Sequence, residues 1–197
     1  MFNFKNSSEV RTLSLGVFVL LTVLTQAQAQ TWVQWSASEG GNDHWYTLAP
    51  TENTWEHVRS QALAMGPGAD LVSINSEAEQ NFLASQFGIS HVFWIGLTDK
   101  AVEGIWQWAN GDPVDYTNWL PGQPDDYNPT IGGEDYAMMN FGAFREDPNL
   151  TAWNDLHLNS YAGRGIVESA VPEPSAYVLL GAALLAFWWV RRRFARV

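Results

Sequence analysis

The sequence predicts an α+β domain, and three observations carry that prediction. Two helical stretches with capping signals stand near the start, most of the strand-like runs follow them, and a long segment dominated by Gly, Pro, Asn and Asp interrupts those strands. Trp45-Tyr46-Thr47-Leu48 reads as a first short strand. Thr54 is placed to cap a helix from Trp55 to about Met65, with Trp55, Val58 and Ala62 on one face and Gly66 as its stop. Leu71-Val72-Ser73-Ile74 is strand-like, and Ser76-Glu77-Ala78-Glu79 has capping-box spacing that opens a second helix through Ala84. Val92–Leu97 and Ile105–Trp108 read as strands around a turn, and Gly165–Val167 as a terminal apolar strand. Between Ala109 and Pro129 the chain is turn-rich, and a connection of about 20 residues without strands is unusual unless it is functional. No internal repeat or low-complexity segment occurs.

Both ends read as addresses. Residues 1–29 have the form of a signal peptide: Lys5 and Arg11 precede an apolar run from Leu13 to Leu24, and Ala27-Gln28-Ala29 supplies a small-x-small cleavage site. At the other end Val171-Pro172-Glu173-Pro174-Ser175 leads into Ala176–Val190, which carries no charge, and then into Arg191-Arg192-Arg193. The apolar run is short for a full span of about 20 residues, while the arginines after it fit the positive-inside pattern. Segment 171–197 resembles the PEP-CTERM sorting signal of Gram-negative bacteria. That resemblance implies transient membrane insertion through the C-terminal helix, cleavage near Pro-Glu-Pro by an exosortase, and delivery to the cell surface or extracellular matrix. A permanent membrane anchor is the alternative.

The stretch 30–170 is long enough to form one domain. It holds 19 acidic against 4 basic residues, a net charge of −15. Nucleic acid is a poor partner for such a surface, because its phosphates need Lys and Arg contacts. Glu39, Glu52, Glu56, Glu77 and Glu79 read as solvated surface, but the acids between Asp99 and Asp155 crowd into turn-rich sequence and repel one another unless a cation neutralises them. There is no cysteine, which excludes disulfides, thiol nucleophiles and thiolate metal sites.

Four short stretches gather oxygen donors at the spacing of a calcium cage: Asp99 with Glu103, Gln123-Pro124-Asp125-Asp126, Glu134-Asp135, and Trp153-Asn154-Asp155. Ca²⁺ takes six to eight oxygen ligands from carboxylates, side-chain amides, backbone carbonyls and water. Together with Trp94-Ile95-Gly96-Leu97, these motifs resemble in order those of the C-type lectin domain, over roughly Trp32 to Glu168. The resemblance implies a C-type lectin-like fold, with two helices packed on small antiparallel sheets and a long loop that binds calcium and ligand. It also implies a principal calcium site of Gln123, Asp125, Glu134, Asn154 and Asp155, and an auxiliary site of Asp99, Glu103, Asp126 and Asp135 with Glu134 shared. Asp99 and Glu103 read alternatively as a solvated pair. The family's bend at the Pro tripeptide implies a cis Gln123–Pro124 bond.

By the same resemblance, sugar hydroxyls meet the ion while bonding Gln123, Asp125, Glu134 and Asn154. The order Gln-Pro-Asp marks galactose-type preference. Tyr127 stands where galactose-binding members carry a stacking Trp, although the turn after it is shorter and contains Pro129. Members of the family usually carry two disulfides; the corresponding positions here are Ala62 with Val167 and Tyr136 with Leu158, all apolar or aromatic, so packing replaces the cross-links. Trp94, Trp106, Trp108, Trp119 and Trp153 read mostly as core, with Trp153 beneath the site.

The implied function is calcium-dependent binding of a galactose-type glycan or exopolysaccharide at the cell surface or in an extracellular matrix. The alternative is an adhesion or structural module that uses calcium to order its loops and binds protein. An enzyme is disfavoured: His44, His57, His91 and His157 are scattered, no His-Glu-x-x-His motif or nucleophile elbow occurs, and carboxylates tied to calcium are poor proton donors for glycosidase chemistry.

Overall fold

The computed structural model describes residues 31–127, 132–157 and 162–171, with isolated positions from 181 onward. The expected signal peptide, the Pro-Glu-Pro motif and most of the apolar run after it lie outside the described residues. Among the described residues no helix is long and apolar enough to cross a membrane.

The strands are β1 (Val33–Gln34), β2 (Trp45–Leu48), β3 (Ala69–Leu71), β4 (Phe93–Thr98), β5 (Gln107–Trp108), β6 (Tyr136–Met139), β7 (Asn154–Leu156) and β8 (Arg164–Ser169); α1 is Trp55–Ala64 and α2 is Glu77–Phe87. The spatial order is β1-β2-β8-β4-β6-β7, with β3 on β8 and β5 on β4. β8 organises the sheet. It runs antiparallel to β2 (Leu48 opposite Ile166) and to β3 (Leu71 opposite Val167), and its first residues pair parallel with β4 (Phe93 opposite Arg164). β4 then pairs antiparallel with β6, and β6 with β7, which sets Ala137 opposite Asp155 and Met138 opposite Asn154. Glu134-Asp135 therefore enters β6 beside the strand that starts at Asn154.

The helices follow the sequence pattern, with local differences. α1 buries Trp55, Val58 and Ala62. Thr54 holds the N-cap position in extended conformation but makes no side-chain cap, and its own N–H donates to Asn53 Oδ1 at 2.9 Å. At α2, Ser76 Oγ accepts the Glu79 N–H at 3.1 Å, while the Glu79 carboxylate takes the Asn75 N–H instead of returning to Ser76. α2 runs past Ala84 to Phe87, where Phe87 packs edge-on against Phe93, and Gly88, at a φ of +80°, ends it. The strand expected at Leu71–Ile74 forms earlier, at Ala69–Leu71. Val72 still donates to Ile166 O and accepts from Gly96 N–H, so this buried stretch threads between β8 and β4. A Cβ on Gly96 would stand 2.7 Å from Leu71 O, so the Trp-Ile-Gly-Leu run needs glycine there.

Where the family would have cross-links, the chain packs. Ala62 and Val167 are fully buried in one cluster with Val58, Leu71 and Trp94. Tyr136 is fully buried, its ring 4.8 Å from that of Trp55. Leu158 lies outside the described residues. Burying a large apolar side chain contributes about 1.5–3 kcal/mol, and a domain of this size can fold on such terms.

Trp94, Trp108 and Trp153 are buried, while Trp106 and Trp119 are half-buried against the core. The indole of Trp153 is ringed edge-on by Trp108, Tyr116 and Trp119, and its Nε1 donates to Gln80 Oε1 of α2 at 2.7 Å. Its backbone ties down the long connection: Trp153 N–H donates to Asn118 O, and Leu120 N–H to Trp153 O. A turn closed by Gln123 N–H on Leu120 O then delivers Gln123-Pro124-Asp125 next to Asn154-Asp155.

Candidate metal centre and ligand groove

Asp125, Glu134 and Asp155 each offer an oxygen, and these oxygens lie within 4.8 Å of one another. The carboxylate of Asp155, at the start of β7, holds the group together: its Oδ2 accepts the backbone N–H of both Asp125 and Asp126 at 3.0 Å. Asp126, with a positive φ of 45°, turns its Oδ1 onto the Glu134 N–H at 2.9 Å, and Glu134 Oε2 takes the Tyr127 N–H at 3.3 Å. The Gln123–Pro124 peptide bond is cis. Gln123, Asp125 and Asn154 face a groove of about 330 Å³ that Leu120, Pro121, Arg145 and Asp147 also line.

Gln123 Oε1, Asn154 Oδ1 and Asp155 Oδ1 are buried oxygens without a hydrogen-bond partner. The Asn154 amide nitrogen, in contrast, is engaged by the Asp155 carbonyl. An orphaned buried acceptor costs about 1–3 kcal/mol, and three in one place form a donor set that fits a hard cation. Electrostatics agree. Burial, with the negative charges of Asp155 and Asp125, raises the Glu134 carboxyl to about 7. Burial also raises Asp155, with Asp125 adding to it and backbone N–H groups opposing. Such crowding of ionised oxygens is relieved by a divalent ion.

The other predicted acids gather close by. Asp99 is buried, with Oδ2 on the Gly104 N–H at 2.9 Å and Oδ1 unpartnered, and its backbone N–H donates to Asp135 O. Burial and the charges of Asp99 and Asp126 raise Asp135; partial desolvation and the charges of Asp99, Asp126 and Asp135 raise Glu103. Asp99 is thus no solvated surface residue, while Glu103 is exposed. Among the described residues these four do not close into a second trio of converging oxygens. Tyr127 is 67% exposed beside the centre. Sequence reasoning missed Arg145 and Asp147, which reach the groove from the turn after β6; the available signal was that Arg145 is one of only four basic residues in the domain.

These features define a C-type lectin domain, and comparison with known proteins agrees. Residues 51–157, more than half of the chain, match the lectin C-type domain family, and the chain belongs to it. Residues 170–193 match the PEP-CTERM protein-sorting motif. The chain is 38% identical over 111 residues to human C-type lectin domain family 17, member A, covering 56% of this chain and 26% of that protein. It is 29% identical over 163 residues to the mouse low affinity immunoglobulin epsilon Fc receptor, covering 75% and 44% respectively. It therefore spans less than half the length of these two curated relatives. Among solved structures, CEL-I from Cucumaria echinata aligns with a TM-score of 0.57 at 31% identity, covering 73% of this chain and 97% of that one. The mouse scavenger receptor C-type lectin carbohydrate-recognition domain aligns with a TM-score of 0.57 at 29% identity, covering 70% and 94%.

Proposed function

We propose that this domain binds a galactose-type glycan through calcium, and that the sorting motif directs the chain to the cell surface or extracellular matrix. The observation that carries the first part is the trio of buried, unpartnered oxygens on Gln123, Asn154 and Asp155 beside the Asp125, Glu134 and Asp155 carboxylates. In this reading Gln123, Asp125, Glu134, Asn154 and Asp155 hold the ion, and Asp99, Glu103, Asp126 and Asp135 hold an auxiliary one. Bound calcium supplies coordination positions at which vicinal sugar hydroxyls replace water. Gln123 and Asn154 offer amide donors to the sugar, Asp125 and Glu134 offer acceptors, and the exposed ring of Tyr127 offers a stacking face.

The scavenger receptor domain is described as a carbohydrate-recognition domain, and the cow CD23 carbohydrate-recognition domain was solved in the presence of a GlcNAc2Man3 oligosaccharide. Both support sugar binding by this fold. The motif at 170–193 supports processing by an exosortase, with insertion of the C-terminal helix into a membrane on the way. A glycan array run with calcium and with chelator tests the function. Chelator-sensitive binding to galactosides is expected; protein binding without sugar binding would favour an adhesion module instead.

A further inference from the structure

The groove beside the metal centre contains a charge that the fold does not use. The domain has four basic side chains, and three are engaged. Arg59 forms a two-bond fork with Asp70 at 3.0 Å, Lys100 pairs with Glu56, and the Arg164 guanidinium donates to Ala49 O at 2.9 Å. Arg145 is exposed and has no ion-pair or side-chain hydrogen-bond partner among the described residues. Its backbone is fixed: Arg145 N–H closes on Gly142 O, and the left-handed Glu146 follows it. Asp147, the acid nearest in sequence on the groove wall, turns Oδ1 onto the Asn149 N–H at 2.8 Å and forms no ion pair with Arg145. Arg145 therefore lines the same groove as Gln123, Asp125 and Asn154, and its guanidinium donors are free among the described residues. At about 330 Å³ the groove lies at the small end of sites for small molecules, about 300–1,000 Å³.

We propose that Arg145 makes this site select an anionic saccharide, one bearing a carboxylate or a sulfate beside the hydroxyls that meet the ion. The proposal rests on the calcium-dependent sugar reading above. The planar guanidinium fork matches both oxyanions in two-bond geometry, and Arg145 is, among the described residues, the one basic residue lining a groove in which Asp125 and Asp147 would otherwise repel an anion.

The test measures affinities of the full chain, with calcium in excess, for galactose, galacturonate and galactose 6-sulfate. At least one anionic sugar is expected to bind about tenfold tighter than galactose, a difference of about 1.4 kcal/mol, and the winner tells carboxylate from sulfate. The advantage shrinks at 1 M salt, where the screening length is about 3 Å. Arg145→Gln brings the anionic-to-neutral ratio toward one, Arg145→Lys keeps part of it, and a calcium-induced rise in melting temperature shows that each variant is folded. A ratio of one in the natural protein overturns the proposal, as does a ratio that Arg145→Gln leaves unchanged. If Arg145→Gln alters calcium affinity alone, the residue only offsets the acids and the proposal also fails. Binding of galactose without an anionic preference leaves the lectin reading standing, whereas no binding of any of the three sugars removes both.

Discussion

Asp155 Oδ2 accepts the backbone N–H of Asp125 at 3.0 Å, and this bond leaves Asp155 Oδ1 buried and without a partner. One oxygen of the carboxylate thus sets the Gln-Pro-Asp turn against β7, and the other is held ready for a ligand. The fold meets the cost of an orphaned acceptor in order to preform the site.

Calcium should therefore stabilise the protein, and Asp155→Asn should abolish most of that gain. Ligand at 100 times its dissociation constant adds about 2.7 kcal/mol by linkage. In the variant, the amide oxygen can still accept from Asp125 and Asp126, but a donor then stands where Oδ1 is buried without a partner, and it would repel a cation. Loss of one negative charge also eases the repulsion that raises Glu134. In chelator Asp155→Asn should melt no lower than the natural protein, and in calcium well below it. Superimposable melts of the natural protein with calcium and chelator would sink the calcium reading.

Gly133 allows the close approach that shapes the same site. Its φ is +68°, and a Cβ there would stand 2.2 Å from Asp126 Oδ1, the atom that accepts the Glu134 N–H. Gly133→Ala should cost about 1–3 kcal/mol of strain and displace Asp126 from Glu134. Calorimetric titration should show weaker calcium binding; unchanged affinity would mean that the Asp126–Glu134 bond does not shape the centre.

The sequence was most legible where one residue's chemistry is decisive. Ser76 caps α2, Gly96 allows the close passage of Leu71 and Val72, and Trp153, next to Asn154 and Asp155 in the chain, is buried in the core. It was least legible where partners are distant. Leu71–Ile74 reads as a strand because all four side chains suit one, yet pairing with β8 favours Ala69–Leu71. Thr54 looks like a cap, but Asn53 beside it takes its N–H. The order of the oxygen motifs shows which residues meet, whereas the position of Arg145 depends on how the turn after β6 folds back over the groove.

Away from the metal centre, stability should fall as pH rises, through a buried polar group between β2, β8 and α2. His44 Nδ1 lies 3.7 Å from Glu168 Oε2, and Glu79, Tyr46 and Asp112 add to the local field. Burial raises Glu168 and Glu79, and the Glu168 carboxylate facing His44 across 3.7 Å raises His44. A folded state with raised values binds more protons than the unfolded chain. Its stabilisation is thus complete below the ordinary values, 4.5 for Glu and 6.5 for His, and is lost as pH climbs through the folded ones. Glu168→Gln keeps an acceptor for Ser73 N–H and Asn110 Nδ2 and turns an amide donor toward His44. Denaturant melts in excess calcium should show a flatter pH profile for Glu168→Gln, with the gain over the natural protein growing at high pH. Parallel profiles would rule this group out as the source.

Sugar preference is the sharpest test of the site. Gln123 and Asp125 flank Pro124 at the candidate metal centre, an amide on one side and an acid on the other. Exchanging them, Gln123→Glu with Asp125→Asn, conserves net charge and nearly conserves volume, so calcium should still stabilise the double variant. Only the hydrogen-bonding polarity reverses. A mispaired polar group in such a site costs about 1–3 kcal/mol, which corresponds to about a tenfold or larger shift between competing sugars. Competition with free galactose and mannose should show a galactose preference in the natural protein that moves toward mannose in the exchange. Tyr127→Ala should separately weaken galactose, because its ring is 67% exposed and free to stack on the apolar face of the sugar. A natural protein that prefers mannose, or a ranking indifferent to the exchange, would show that Gln123 and Asp125 do not set specificity.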